Sequence, residues 1–257
     1  MTEQKNEYYI VCGATSGFGG AVAKELLDEG NSILAVARNK ENLEKLQNEY
    51  PEQVDFVAGN LAHHSTLKKI TQKVENNYLS GIFLNSGGPP AKSIEETNMN
   101  DWDEAYYALF RWKVELVKFL LPKFKQQEYG RILFLESSSV KQPIENLVLS
   151  TSLRLGIVGF AKTLSEEIAD KGVTVNIRAP GFHETKALNR LFEKKAKDKN
   201  MTEEEARKGF INSTKVGFIG DPADLASLAG WLLSRNSRYI TGQTISVDGG
   251  VIKGVFG

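Results

Sequence analysis

Three consecutive serines, Ser137, Ser138 and Ser139, are followed eleven residues later by Ser150 and then, one helical turn on, by Arg154. Residues i and i+4 share a helix face, so Ser150 and Arg154 can turn an alcohol and a guanidinium toward one point. A serine alcohol is a weak acid and a guanidinium does not release its proton, so such a pair suits electrostatic stabilisation of a developing oxyanion better than proton transfer. The stretch from 137 to 160 holds no His, Cys, Tyr or Asp to do otherwise. Elsewhere, His63, His64 and His183 lack metal-ligand spacing, which predicts no metal site, and the single Cys12 sits in an apolar run where core packing is its expected role.

A second constellation lies near the N-terminus, where "YYIVC" is followed by "GATSGFGGAVAKEL". Gly13, Gly17 and Gly19, with Thr15, Ser16 and Phe18 between them, stand at a turn from an apolar strand into an amphipathic helix. A dinucleotide pyrophosphate needs that arrangement: a tight turn, close backbone approach and a helix N-terminus. The next apolar run ends in Ala37, Arg38 and Asn39, where a site for NAD would carry an acidic residue for the ribose hydroxyls. A guanidinium fits a 2′-phosphate through charge-assisted bonds, so Arg38 favours NADP(H) over a role as an ordinary surface arginine.

Seven short β-rich runs must position these residues: 8 to 12, 32 to 37, 54 to 58, 81 to 85, 131 to 136, 173 to 178 and 244 to 247. Helical patterns alternate with them, including one long helix from 101 to 127. Such alternation predicts an α/β fold with a parallel sheet and helices on both faces. The segment from 182 to 218, rich in Lys and Glu, reads either as a solvated helical pair or as a lid over a ligand beyond the strand ends. No linker divides residues 1 to 257, so one domain is expected. Lys plus Arg balances Asp plus Glu at 32 each, which gives no global field for nucleic acid. With no signal peptide or membrane span in the pattern, a cytoplasmic protein acting on a small molecule is expected.

In these motifs the chain resembles the short-chain dehydrogenase/reductase family over essentially its whole length. The glycine turn is joined by "LNSGG" (84 to 88), "GRILFLESSS" (130 to 139), "NIRAPGFHET" (176 to 185) and "YITGQTISVDGG" (239 to 250), in the family's order. The resemblance implies a Rossmann-type, doubly wound, seven-stranded sheet and a homo-oligomer, tetramer or dimer. It also implies cofactor contacts from Asn60 and Leu61, from Asn85, Ser86 and Gly87, from Arg154, and from Pro180, Gly181, His183 and Thr185, the last of these on the nicotinamide carboxamide.

The family's catalytic relay resembles Asn, Ser, Tyr and Lys, and here the pattern departs. Its serine falls on Ser137, with Ser138 and Ser139 as neighbours that compete; its Tyr falls on Ser150, its Lys on Arg154 and its Asn on Leu109. Three readings follow. The first is a reductase of a conjugated or otherwise activated carbonyl, whose enolate is held by Ser150 and Arg154. The second is a silent NADP(H)-binding sensor or partner subunit, and the third is a 3-oxoacyl carrier-protein reductase-like enzyme with a substitute acid from Glu136, His183 or water.

Overall fold

The computed structural model describes residues 7–255. Seven strands, β1 (Tyr8–Cys12), β2 (Ser32–Ala37), β3 (Val54–Ala58), β4 (Gly81–Leu84), β5 (Gly130–Leu135), β6 (Val173–Pro180) and β7 (Thr244–Val247), form one parallel sheet in the order β3-β2-β1-β4-β5-β6-β7. Both faces are covered, so consecutive strand residues enter opposite cores. Ile10 and Cys12 pack with α3 (His64–Lys73), α5 (Trp112–Gln127) and α6 (Val148–Ile168), while Tyr9 and Val11 pack with α1 (Gly17–Asp28), α2 (Lys40–Glu49) and α9 (Pro222–Leu233). This is the α/β fold that the alternation predicts, in the Rossmann-type arrangement that the resemblance implies.

The strand order reverses at β1, which pairs with both β2 and β4. Ligands of open α/β sheets bind beyond the carboxyl ends of strands at such a reversal. The strand ends differ a little from the sequence reading: β4 stops at Leu84 and releases Asn85, and β5 stops at Leu135 and releases Glu136. Both released residues project into the site.

The helix expected over 101 to 127 is instead three pieces: α4 (Met99–Tyr106), a π-helical turn (Tyr107–Arg111) and α5. A π turn inserts an extra residue into the helical register, and such turns are frequent at functional sites. Trp112 Nε1 donates to Ala108 O at 2.8 Å across it. Beyond the turn both Trp112 and Lys113 are buried.

Segment 182 to 218 carries α7 (Lys186–Lys199) and α8 (Glu203–Ser213) around a small core of their own, Leu188, Phe192, Ala196, Ala206 and Ile219. Its outer face is polar, which accounts for the charge-rich sequence. Lys194 on α7 reaches Glu96, in the chain between β4 and α4, at 3.5 Å. No helix among the described residues is long and apolar enough to cross a membrane.

The approach to β6 depends on Gly172, at φ +69, where a Cβ would lie 2.2 Å from the Glu128 carbonyl oxygen. Gly172→Ala combines that clash with left-handed strain, so a loss of about 2 kcal/mol or more is expected in urea unfolding, with Gly159→Ala, open to solvent on α6, near neutral by comparison.

Candidate active site

The turn after β1 is built for close backbone approach. A Cβ on Gly19 would fall 2.2 Å from Gly13 O, and one on Gly13 would fall 2.7 Å from Asn85 Nδ2, so the glycines let the β1 and β4 turns touch. Gly13 and Gly17 also hold positive φ, at +73 and +52. Thr15 and Ser16 line the N-terminus of α1, with Ser16 and Gly17 exposed. This open cradle at a helix N-terminus, with side-chain space removed, fits a pyrophosphate.

Around it, Arg38 is exposed and has no hydrogen-bond or ion-pair partner among the described residues. The two neighbouring amides are partly committed: Asn39 Oδ1 caps α2 by accepting from Asn42 N at 2.9 Å, and Asn60 Oδ1 accepts from Ala62 N at 3.1 Å. Leu61 packs against the sheet core. Asn85 and Ser86 are half-buried, the Ser86 hydroxyl lacks a partner, and Gly87 is exposed with open space around it.

Past β6, Gly181 N donates to Val247 O at 2.9 Å, and a Cβ on Gly181 would fall 2.6 Å from Asp248 Cα, which pins the turn after Pro180. Thr185 accepts from Leu188 N as the N-cap of α7, and its methyl lies 3.9 Å from where a Gly17 Cβ would stand. The two loops that the resemblance assigns to one cofactor are thus neighbours. His183 is buried, edge-on to Phe18 at 5.0 Å between ring centroids, with Nδ1 3.3 Å from Gly181 O. Burial holds its imidazole below the usual histidine range.

The serine and arginine positions meet a partner that the sequence does not announce. Arg154 Nε donates to Ser150 Oγ at 3.0 Å, and Arg154 Nη1 donates to Glu136 Oε2 at 2.9 Å and to Leu135 O at 3.4 Å. The other Glu136 oxygen accepts from Lys113 Nζ at 2.6 Å. Lys113 and Glu136 side chains are 0% exposed and Arg154 is 7% exposed, so two cations share one carboxylate in a nearly dry site. Burial pushes the Lys113 ammonium down to about 8, against the attraction of Glu136, and the Arg154 charge adds to the depression.

Three expectations change in consequence. Arg154 does not point freely with Ser150 at a ligand: its guanidinium is anchored on Glu136, and Nη2 is the nitrogen turned toward the Gly87–Gly88 turn, 4.0 Å from where a Gly88 Cβ would stand. Glu136 is a counter-ion with both oxygens occupied, not a spare acid, and His183 packs with Phe18 rather than with Ser150. Ser138 is buried within the 3-10 turn after β5, as is Ser139, whereas Ser137 is half-buried with Oγ accepting from Ser139 N at 3.1 Å. Ser137 is the most exposed of the three.

Lys113 escaped the sequence reading. The signal was a lysine at a core position of a helix, with buried Leu109, Leu116 and Val117 at i−4, i+3 and i+4.

The sheet order, the glycine cradle and the site on α6 define a dinucleotide-dependent oxidoreductase architecture, and the chain belongs to the short chain dehydrogenase family, whose model matches residues 7–196. Among curated proteins it is similar to the NADPH-dependent reductase BacG of Bacillus subtilis, 27% identical over 253 residues, covering 96% of this chain and 98% of that one. It is also 28% identical to the 3-oxoacyl-[acyl-carrier-protein] reductase FabG of Rickettsia prowazekii, over 98% of this chain and 99% of the relative. Among solved structures, YwfH, an NADPH dependent reductase involved in bacilysin biosynthesis, superposes with a TM-score of 0.91 at 26% identity, covering 98% of this chain and 100% of that one. A single-substitution variant of the actinorhodin polyketide ketoreductase with NADPH gives a TM-score of 0.90 at 25% identity, covering 98% of this chain and 99% of that one.

Removing the shared carboxylate leaves two buried cations facing each other. Glu136→Gln is expected to cost roughly 3–5 kcal/mol in chemical denaturation, and Lys113→Met in the same chain to restore a large part of it. No rescue by the second change would mean that the three groups are not coupled.

Proposed function

We propose that the protein is an NADP(H)-dependent reductase acting on a small conjugated or otherwise activated carbonyl compound, with Ser150 and Arg154 stabilising an oxyanion where relatives would transfer a proton. The observation that carries this is the Ser150–Arg154–Glu136–Lys113 network. Relatives named as NADPH-dependent reductases support the cofactor, as do the glycine cradle and the unpaired Arg38. In this reading Gly13, Thr15, Ser16, Gly17, Phe18 and Gly19 hold the pyrophosphate, Arg38 the 2′-phosphate, and Asn85, Pro180, Gly181 and Thr185 the nicotinamide half. Bound NADPH supplies the hydride.

The network makes an electrostatic device rather than a proton wire, because Arg154 interrupts it: a guanidinium does not relay protons. Ser150 Oγ, occupied as an acceptor by Arg154 Nε, keeps its own O–H for donation, and Arg154 Nη2 adds two N–H donors. Hydride added to the far carbon of an enone places negative charge on the carbonyl oxygen. Ser150 and Arg154 hold that enolate, Ser137 donates a further hydrogen bond, and water delivers the proton to carbon. With Lys113 charged, the Lys–Glu–Arg group carries one net positive charge, which favours the enolate. With Lys113 neutral it carries none.

The similarity to 3-oxoacyl-[acyl-carrier-protein] reductases supports a second reading, ketone reduction with water as the acid. The commitment of Arg154 to Glu136 supports a third, cofactor binding without turnover. A homo-oligomer would cover exposed Tyr106, Tyr107 and Leu155 on α4, the π turn and α6.

Following NADPH oxidation against enones, enoyl thioesters and simple ketones separates the readings. Enone turnover is expected; it should fall roughly 10²–10³-fold in Arg154→Ala, as when an oxyanion donor is removed, and less in Ser150→Ala. Turnover of simple ketones alone would favour ketone reduction, and NADPH binding without turnover would favour the silent protein.

Lys113 is protonated below its pKa, so kcat should be highest below about 8 and decline as pH rises through that value. In Lys113→Met the decline should vanish, since that titrating charge is gone. A profile unchanged by the substitution would remove Lys113 from the reaction.

Arg38→Glu should reverse the cofactor preference, weakening NADPH at least tenfold in fluorescence titration while leaving NADH nearly as it was. Tighter binding of NADH than NADPH by the unaltered protein would overturn the assignment of Arg38.

A further inference from the structure

Arg178 is a further buried cation, on the opposite face of the sheet from Lys113, and no group among the described residues neutralises it. It is 0% exposed, and among the described residues none of Nε, Nη1 and Nη2 has a hydrogen-bond partner. Burial pushes its guanidinium down to about 10, with no carboxylate of the described residues opposing the shift. Buried charges are ordinarily paired, because a lone one forfeits its hydration without recompense. An arginine with three orphan nitrogens therefore either serves an anion from outside the chain or is a defect.

Its place in the fold decides between these. Along β6, Val173, Val175 and Ile177 enter the core under α5 and α6, so the alternate residue Arg178 faces the layer of α1 and α9. Its register neighbours, Leu135 on β5 and Ile245 on β7, belong to that layer. Arg178 stands two residues before the end of β6, at the carboxyl edge where α1 begins. His183, whose titration senses the Arg178 charge, lies edge-on to Phe18 in the first turn of α1. The guanidinium therefore lies on the α1 and α9 side of the sheet near its carboxyl edge, on a strand three places from β1, with His183 and Phe18 linking its surroundings to the glycine turn.

We infer that Arg178 is a counter-cation held in reserve for the dinucleotide's phosphates: it burdens the unliganded fold and strengthens cofactor binding from the β6 side of the cleft. The inference rests on the cofactor reading above. Because the cation is shielded from solvent, its effect on the phosphates is poorly screened, unlike that of exposed Arg38. No contact between Arg178 and the phosphates is required.

Arg178→Met and Arg178→Leu, uncharged apolar replacements, test it by thermal unfolding and by fluorescence titration with NADPH. Expected are an unliganded Tm higher by about 5 °C or more, an NADPH Kd weakened at least tenfold, and a smaller NADPH-induced Tm rise than in the unaltered protein. A higher Tm with unchanged Kd would make Arg178 a misfit without a role and overturn the inference. A lower Tm in both variants would show that the arginine is already paired in the unliganded protein and would overturn it too. Failure of the unaltered protein to bind NADPH would instead sink the cofactor reading, and this inference with it.

Discussion

Glu136 holds two cations at once, and the reaction side of the fold is arranged around that fact. A carboxylate buried between an ammonium and a guanidinium must keep its place, since its loss leaves two buried cations without hydration or a counter-ion. The end of β5 at Leu135, the π turn before Lys113 and the one-turn spacing of Ser150 and Arg154 on α6 each supply one member. Side chains from three elements are thereby locked with donors facing the cleft. Preorganisation of that kind is what makes electrostatic catalysis effective, because donors already in place need no reorganisation as charge develops.

The same carboxylate fixes the orientation of the Arg154 guanidinium. Arg154 spends one side of its fork on Glu136 and its Nε on Ser150, which leaves one nitrogen for a ligand. A lysine ammonium could not bridge these groups in a plane.

On the opposite face, the cofactor side is built from contacts of a different kind. Gly13 and Gly19 admit the Asn85 side chain through the absence of Cβ atoms, so the β1 and β4 turns close on one cradle, with Thr185 nearby. On β6, Arg178 adds charge without a partner among the described residues. Both halves of the site carry buried cations that a stability-optimised core would exclude, a pattern common where function opposes packing.

The seven strands, the glycine turn and the charge-rich helical pair at 182 to 218 were legible in the residues because each rests on local chemistry: short β-rich apolar runs, positive φ, capping and polar faces. Ser137, Ser150, Arg154 and Thr185 were singled out by the resemblance, and the shared face of Ser150 and Arg154 by their spacing on one helix. What spacing within one element cannot reveal is who partners whom across the fold. Glu136 meets Lys113 across 23 positions and Arg154 across 18, and the π turn that aims Lys113 inward interrupts the regular period on which such readings depend. Local pattern thus determined the elements and the class of chemistry, whereas the tertiary structure decided that Glu136 is a counter-ion, that Lys113 is part of the site and that Arg178 has no partner, because desolvation and pairing energies exist only once distant segments are brought together.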